Sequence, residues 1–278
     1  MDKEMYDTFW YWINERHQIY LNRQKGMPKP WTKDPIFQEW KFTNVFRQLD
    51  KVTVWFMDNI ITPHINDGPL LLANIATHRY FNWPDTSEAM GYITEWNPLE
   101  LEKILLEREK LGCKIFTGAY MVTGGAKGGT GRKKISLVLH DFLAPIWENK
   151  EIILAETLEE TCTNFRLYPG WKSGGFAAYE VVTDLTYTPM LCNASDKNTW
   201  ANAGPGAKRG LERIYGYMHE WEYLQYMRLL LVESVKYVGD HVPMLDMRAI
   251  EHSLCEFSKY VRIKEGTGRA RSRYNGRS

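Results

Sequence analysis

Apolar residues recur at three- and four-residue intervals along most of this chain, and glycine and proline cut that rhythm into short lengths. A half-buried strand would alternate every second residue, so the pattern dictates helices. Residues 5–22 place Phe9, Ile13 and Tyr20 on one face, with Trp12 and Ile19 beside them, before Gly26 and Pro28 stop the helix. Asp34-Pro35 reads as an N-cap followed by proline at the first helical position, and a long helical region to about residue 61 is expected after it. Pro63 and Gly68-Pro69 interrupt, and a helix resumes over 70–80. Asn97-Pro98-Leu99-Glu100 opens the next one, which Gly112 closes. Further helices are expected over 135–147 and 152–164, from just past Arg209 to about residue 238, and over 245–263. The fold class is all-α. Residues 1–262 read as a single helical catalytic domain, with room for two lobes meeting at a DNA-binding cleft, and residues 263–278 as a basic flexible tail.

Charge is uneven rather than large. The formal net charge is only +1, yet residues 262–278 hold six cations against one carboxylate. Such a tail seeks phosphate or is simply solvated. Cys113, Cys162, Cys192 and Cys255 form no CxxC pair, so zinc ribbons are excluded and reduced thiols are expected. No apolar run reaches membrane-spanning length and no signal-peptide pattern opens the chain, so a cytosolic protein is expected.

Several stretches carry polar chemistry. Within Phe42-Thr43-Asn44-Val45-Phe46-Arg47-Gln48-Leu49-Asp50, Arg47 and Asp50 are three apart and would share one side of a helix. Asn, Arg and Asp together recognise a flat polar ligand such as a base, or form an ordinary surface pair. The run from Gly124 to Gly131, followed by Arg132 and Lys133, cannot be helical; it is a phosphate-cradling loop or a plain insertion. It lacks Walker A spacing, which makes this chain an unpromising kinase by itself. Tyr168-Pro169-Gly170-Trp171-Lys172-Ser173-Gly174-Gly175 before a small-residue helix has the grammar of a helix-hairpin-helix, whose turn amides meet DNA phosphate. Gly204-Pro205-Gly206 with Lys208 and Arg209 is a second phosphate-friendly turn or a linker. The last helix lines up Arg248, His252, Cys255, Lys259 and Arg262 opposite its apolar face.

These motifs, from Trp31-Thr32-x-Asp34-Pro35 to Leu254-Cys255-Glu256-Phe257-x-Lys259-Tyr260, span nearly the whole chain. In that order the chain resembles the alpha-glutamyl/putrescinyl thymine pyrophosphorylases of bacteriophages, also called amino acid:DNA transferases. A related helical domain accompanies some hydroxymethyluracil DNA kinases. The resemblance implies a helix-hairpin-helix DNA glycosylase-like architecture. It also implies a reaction: pyrophosphate on the 5-methylene of a uracil in DNA is displaced by an amine from a free amino acid or polyamine.

For this sequence the resemblance implies the following roles. Asn44 and Arg47 meet the uracil edge or its pyrophosphate, with Asp50 orienting Arg47. Gly204, Gly206, Lys208 and Arg209 receive pyrophosphate. Asp184 is the expected general base, or a structural carboxylate; Lys259 is the expected nucleophile if one is needed, with Cys255 the weaker candidate. Tyr120, Trp171, Lys172 and Tyr179 complete the substrate contacts. No metal ligands are expected, and a divalent ion such as Mg2+ is the one cofactor the chemistry admits. The rival readings are a glycosylase removing modified bases and a non-catalytic DNA-binding partner of a separate kinase.

Overall fold

The computed structural model describes residues 1–118, 134–172, 174–267 and 273. Among these the chain is helical, with an isolated antiparallel bridge between Trp40 and Arg273. In chain order the helices are α1 (Lys3–Gln24), α2 (Pro35–Glu39), α3 (Lys51–Phe56), α4 (Pro69–Phe81), α5 (Pro84–Met90) and α6 (Pro98–Lys110). They continue as α7 (Lys134–Ser136), α8 (Ala144–Glu148), α9 (Lys150–Ile153), α10 (Leu158–Phe165), α11 (Phe176–Leu185), α12 (Pro205–Tyr215), α13 (Glu222–Tyr237) and α14 (Met247–Lys264). The π-helical turns Met57–Ile61 and Leu137–Leu143 follow α3 and α7 without a break. None of the described helices is long and apolar enough to cross a membrane.

Side-chain caps start several helices, at Asp34 and Asn97 where the sequence places them and at Asp2 and Asp246 besides. The Asp2 carboxylate accepts from the Met5 amide at 3.0 Å, Asp34 from Ile36 at 2.8 Å, Asn97 from Glu100 at 3.2 Å and Asp246 from Ala249 at 2.7 Å. Each such cap is worth about 1 kcal/mol.

Three expected helices are cut. The long region expected to reach residue 61 ends at Glu39, and residues 40–46 leave the helix before the 3-10 turn Arg47–Leu49. The cause is local competition for backbone groups. Asn44 Nδ2 donates to the Leu49 carbonyl at 2.9 Å, and the Asp50 carboxylate accepts from the Asn44 amide at 2.9 Å. Asn44, Arg47 and Asp50 therefore meet across a turn and not along a helix face. The helix expected over 152–164 is divided by Thr157, which caps α10. The helix expected to run to residue 238 breaks at Gly216, whose φ of 89° ends α12.

The chain divides into two compact units, Met1–Asp50 with Lys197–Ser278 and Lys51–Asp196. In the first, Phe9, Trp12 and Ile13 of α1 are buried, as are Ile250, Leu254 and Phe257 of α14. The Phe9 and Phe257 rings meet edge-on at 5.5 Å. Helix α12 approaches α14 through glycines: a Cβ on Gly210 would lie 2.5 Å from the Leu254 carbonyl oxygen. Gly210→Ala should therefore cost about 1–3 kcal/mol by forcing the two helices apart, read as a lower denaturation midpoint at unchanged m-value.

In the second unit α4 is buried from Leu71 to Phe81. Asn74 brackets the Ile93 backbone with two 2.8 Å bonds, and Thr77 accepts from Trp147 Nε1 at 2.9 Å. The stretch joining α10 to α11 turns at Gly170 and Gly175, with φ of 80° and 66°. A Cβ on Gly170 would strike the Phe142 ring at 2.3 Å, so that turn needs glycine for space as well as for φ.

Candidate functional site

In the first unit the segment Phe42–Asp50 is pinned to α1 and α14 by charged side chains. Arg16, almost fully buried, donates to the Thr43 carbonyl at 2.8 Å and to the Phe42 carbonyl at 3.3 Å. From α14, Glu256 accepts from the Thr43 amide at 3.2 Å, and His252 Nε2 shares a 2.8 Å hydrogen bond with the Thr43 hydroxyl. Lys259 pairs with Glu256 at 2.7 Å and lies over the Phe42 ring at 4.6 Å. Burial alone would raise the Glu256 carboxyl, but Lys259, His252 and the Thr43 amide overcome it and hold the group below its ordinary value.

Asp50 is poised differently. Desolvation pushes its carboxyl up to about 6, against the pull of the Asn44 amide, Arg16 and Arg47; the charge of Glu256 adds to the rise. Asn44 Nδ2 donates to Asp50 at 3.0 Å. Its Oδ1 is buried without a hydrogen-bond partner. Arg47 is 4% exposed on the same turn.

The α12 turn also packs against α14. The Gly204 amide faces Glu251 at 3.4 Å, so a carboxylate already sits where the helix N-terminus favours negative charge. A Cβ on Gly206 would fall 2.3 Å from Cys255 Sγ, so this glycine serves close packing. Lys208 pairs with Glu220 at 2.5 Å, while Arg209 is exposed. Cys255 is exposed, yet desolvation of its thiol and the charges of Glu251 and Glu256 push it up to about 12. A thiol held there is a poor nucleophile.

Asp184, Trp171 and Tyr179 belong to the interior of the second unit. Arg79 grips Asp184 through two hydrogen bonds, Nε to Oδ2 at 2.5 Å and an Nη to Oδ1 at 2.9 Å. The remaining guanidinium contacts are Asn82 at 2.8 Å and Thr53 at 3.4 Å, and the Phe56 ring lies 4.5 Å from Cζ. Arg79 and Asp184 are 3% and 1% exposed. Using Asp184 as a base would break that pair and strand a buried charge, so its geometry is that of a structural carboxylate. Trp171 is 1% exposed and donates to the Phe142 carbonyl at 2.9 Å; Tyr179 is also buried, and Lys172 is exposed. Tyr120 and the 124–133 loop lie outside the described residues.

Sequence reasoning singled out Asn44, Arg47, Asp50 and Lys259, and the structure puts all four in the first unit. It missed Arg16 and Arg79, and gave no role to His252 or Glu256. His252 and Glu256 had a signal, their place beside Lys259 on one helix. Arg79 had none, since its partner is 105 residues away. Among the described residues no group of three or more His, Cys, Asp or Glu could hold a metal ion.

The family model described as "5-hmdU DNA kinase, helical domain" matches residues 3–269. A 5-hmdU DNA kinase of Bacillus phage SP10 is 30% identical over 300 residues, covering 93% of this chain but 46% of the kinase. The chain thus spans about half the length of that relative. No solved structure matches. Of the two families that the sequence motifs resemble, the match is to the helical domain that accompanies hydroxymethyluracil DNA kinases, and nearly the whole length is covered: the chain belongs to the family of 5-hmdU DNA kinase helical domains.

Proposed function

We propose that this protein modifies thymine derivatives in phage DNA, exchanging the pyrophosphate of 5-(pyrophosphoryloxymethyl)deoxyuridine for the amine of an amino acid or polyamine in the infected host cytoplasm. The observation that carries the reading is Asp50: a carboxyl that desolvation pushes up to about 6, hydrogen-bonded by Asn44 and close to Arg47, in a family whose named relative is a 5-hmdU DNA kinase. Asn44 Oδ1 accepts the imide N–H of an extruded uracil, and Arg47 draws the pyrophosphate. Extrusion costs a few kcal/mol, offset by contacts to the flipped base. Asp50 takes the proton from the incoming ammonium. The amine nitrogen then bonds to the 5-methylene carbon while the carbon–oxygen bond to pyrophosphate breaks and its electrons leave with pyrophosphate. The exposed Arg209 adds positive charge for the departing pyrophosphate. The Glu256–Lys259 pair and the His252–Thr43 hydrogen bond hold the segment in place. A helix-hairpin-helix arrangement, with the Gly170 turn on the DNA backbone, completes the reading.

The test is direct. Pyrophosphorylated 5-hydroxymethyluracil DNA is incubated with the protein and a panel of amines, then digested to nucleosides for mass spectrometry. An amine-bearing nucleoside with an intact glycosidic bond is the expected product. An abasic site would identify a glycosylase instead. No product with any amine would remove the exchange reading.

A second reading is favoured by one observation, the match to 46% of a longer kinase. In it the chain presents the modified base to a separate phosphotransferase. Then Asp50 and Lys259 variants would retain full stimulation of that kinase.

A further inference from the structure

The connection from α4 to α5 and the stretch after α6 take no part in the proposed reaction, yet together they build a platform in the second unit. Asn82 ends α4 in the left-handed region, at a φ of 47°, and its Oδ1 is held at 2.8 Å by Arg79 of the buried Arg79–Asp184 pair. This turn brings Trp83 out to a half-buried position. Residues 114–117 run alongside it: the Thr86 hydroxyl donates to the Ile115 carbonyl at 2.9 Å, and the Thr117 amide to the Phe81 carbonyl at 2.9 Å. Ile115 is buried, so Lys114 and Phe116 on either side of it fall on the outer face.

Two lysines rest on the rings presented there. Lys114 Nζ lies 3.8 Å from the Trp83 ring centroid. Lys134 Nζ, at the start of α7, lies 4.1 Å from that of Phe116, whose ring stacks on the buried Phe81 ring at 4.9 Å. Among the described residues the side chains of Lys114, Trp83 and Lys134 make no other hydrogen bond, ion pair or ring contact. Both lysines are exposed, yet desolvation holds the Lys134 ammonium below its ordinary value. A cation with a ring and no carboxylate for a partner gains by moving to a phosphate, and the ring face it leaves takes a base. Base stacking is worth more than an exposed lysine on the same ring, so the exchange is favourable. Two such pairs stand next to each other, since Lys114 and Phe116 are two residues apart.

We infer that Trp83 and Phe116, with Lys114 and Lys134, form a binding surface for single-stranded DNA. This deepens the proposed function, since it rests on DNA being the substrate and gives unpaired nucleotides a hold on the second unit. A duplex keeps its base faces stacked on one another, so the surface discriminates between the two forms. Through Asn82 the buried Arg79–Asp184 pair sets the direction in which Trp83 points.

Binding is measured by fluorescence anisotropy with unmodified 20-nucleotide single strands and the matching duplex, across a salt series. The single strand is expected to bind more tightly. The double variant Lys114→Gln/Lys134→Gln should bind it about tenfold more weakly, with the log–log salt slope reduced by about 1.4, corresponding to two phosphate contacts. Trp83→Ala should weaken binding about tenfold at unchanged slope, and Trp83→Phe should keep most of the affinity; circular dichroism confirms that each variant is folded. Unchanged affinity and slope in the double lysine variant, wild-type binding by Trp83→Ala, or tighter binding of duplex than of single strand would overturn the surface. Failure here is separable from failure of the amine exchange: wild type that binds strands through Trp83 yet yields no amine adduct removes only the reaction, whereas adduct formation with strand affinity unaffected in the double lysine variant removes only the surface.

Discussion

Asp50→Asn is expected to lower the amine-exchange rate by about 10²–10⁴, the usual worth of a positioned proton acceptor. Asparagine keeps an oxygen for the Asn44 amide but cannot take a proton. The wild-type rate should rise through about pH 6 as Asp50 ionises, and the variant should lose that limb of the profile. Stability moves the other way. The folded Asp50 carboxyl sits above its ordinary 3.8, so between about pH 4 and 6 the native protein binds more protons than the unfolded chain. Its contribution is fully present below the unfolded value and is lost as pH rises through about 6. Removing the charge should therefore leave stability at pH 7 unchanged or higher. Rate profiles and urea titrations on the same protein check both halves; a rate unaffected by the substitution would take Asp50 out of the chemistry.

Asp184→Ala is expected to destabilise the protein by about 3–5 kcal/mol, because Arg79 would be left charged and buried without its carboxylate. A fall in Tm of roughly 10 °C follows for a unit of this size. Replacing both partners, Arg79→Met with Asp184→Leu, should recover much of the loss, since an apolar pair carries no desolvation cost. Calorimetry of the single and double variants decides the matter. If Asp184→Asn melted like wild type yet abolished exchange, the catalytic role implied by the family resemblance would be restored.

The two aspartates show how far sequence could be taken. Asp184 follows a glycine-rich turn on a new helix, which is the right neighbourhood for a glycosylase-like base, and nothing local discloses Arg79. Asp50 looked like an orienting partner for Arg47 on a helix. The turn through Asn44 and Leu49 instead gives it its own environment, desolvated and close to Glu256. Gly206 was read as a phosphate cradle, and Cys255 proves to be the neighbour that requires it to lack a side chain. Lys259 was placed correctly on its helix, but its Glu256 partner assigns it to holding the Phe42–Asp50 segment.

By itself the sequence determined the all-α class, the starts of α2 and α6, and the polar residues around position 44. Caps, glycine stops and three-to-four spacing act within a few residues, so they are written locally. Only the tertiary structure decided where helices break against competing hydrogen bonds, which carboxylates are paired, and which one is desolvated enough to titrate near neutrality. Burial and ion pairing are set by groups brought together from far along the chain, and no local pattern records that distance.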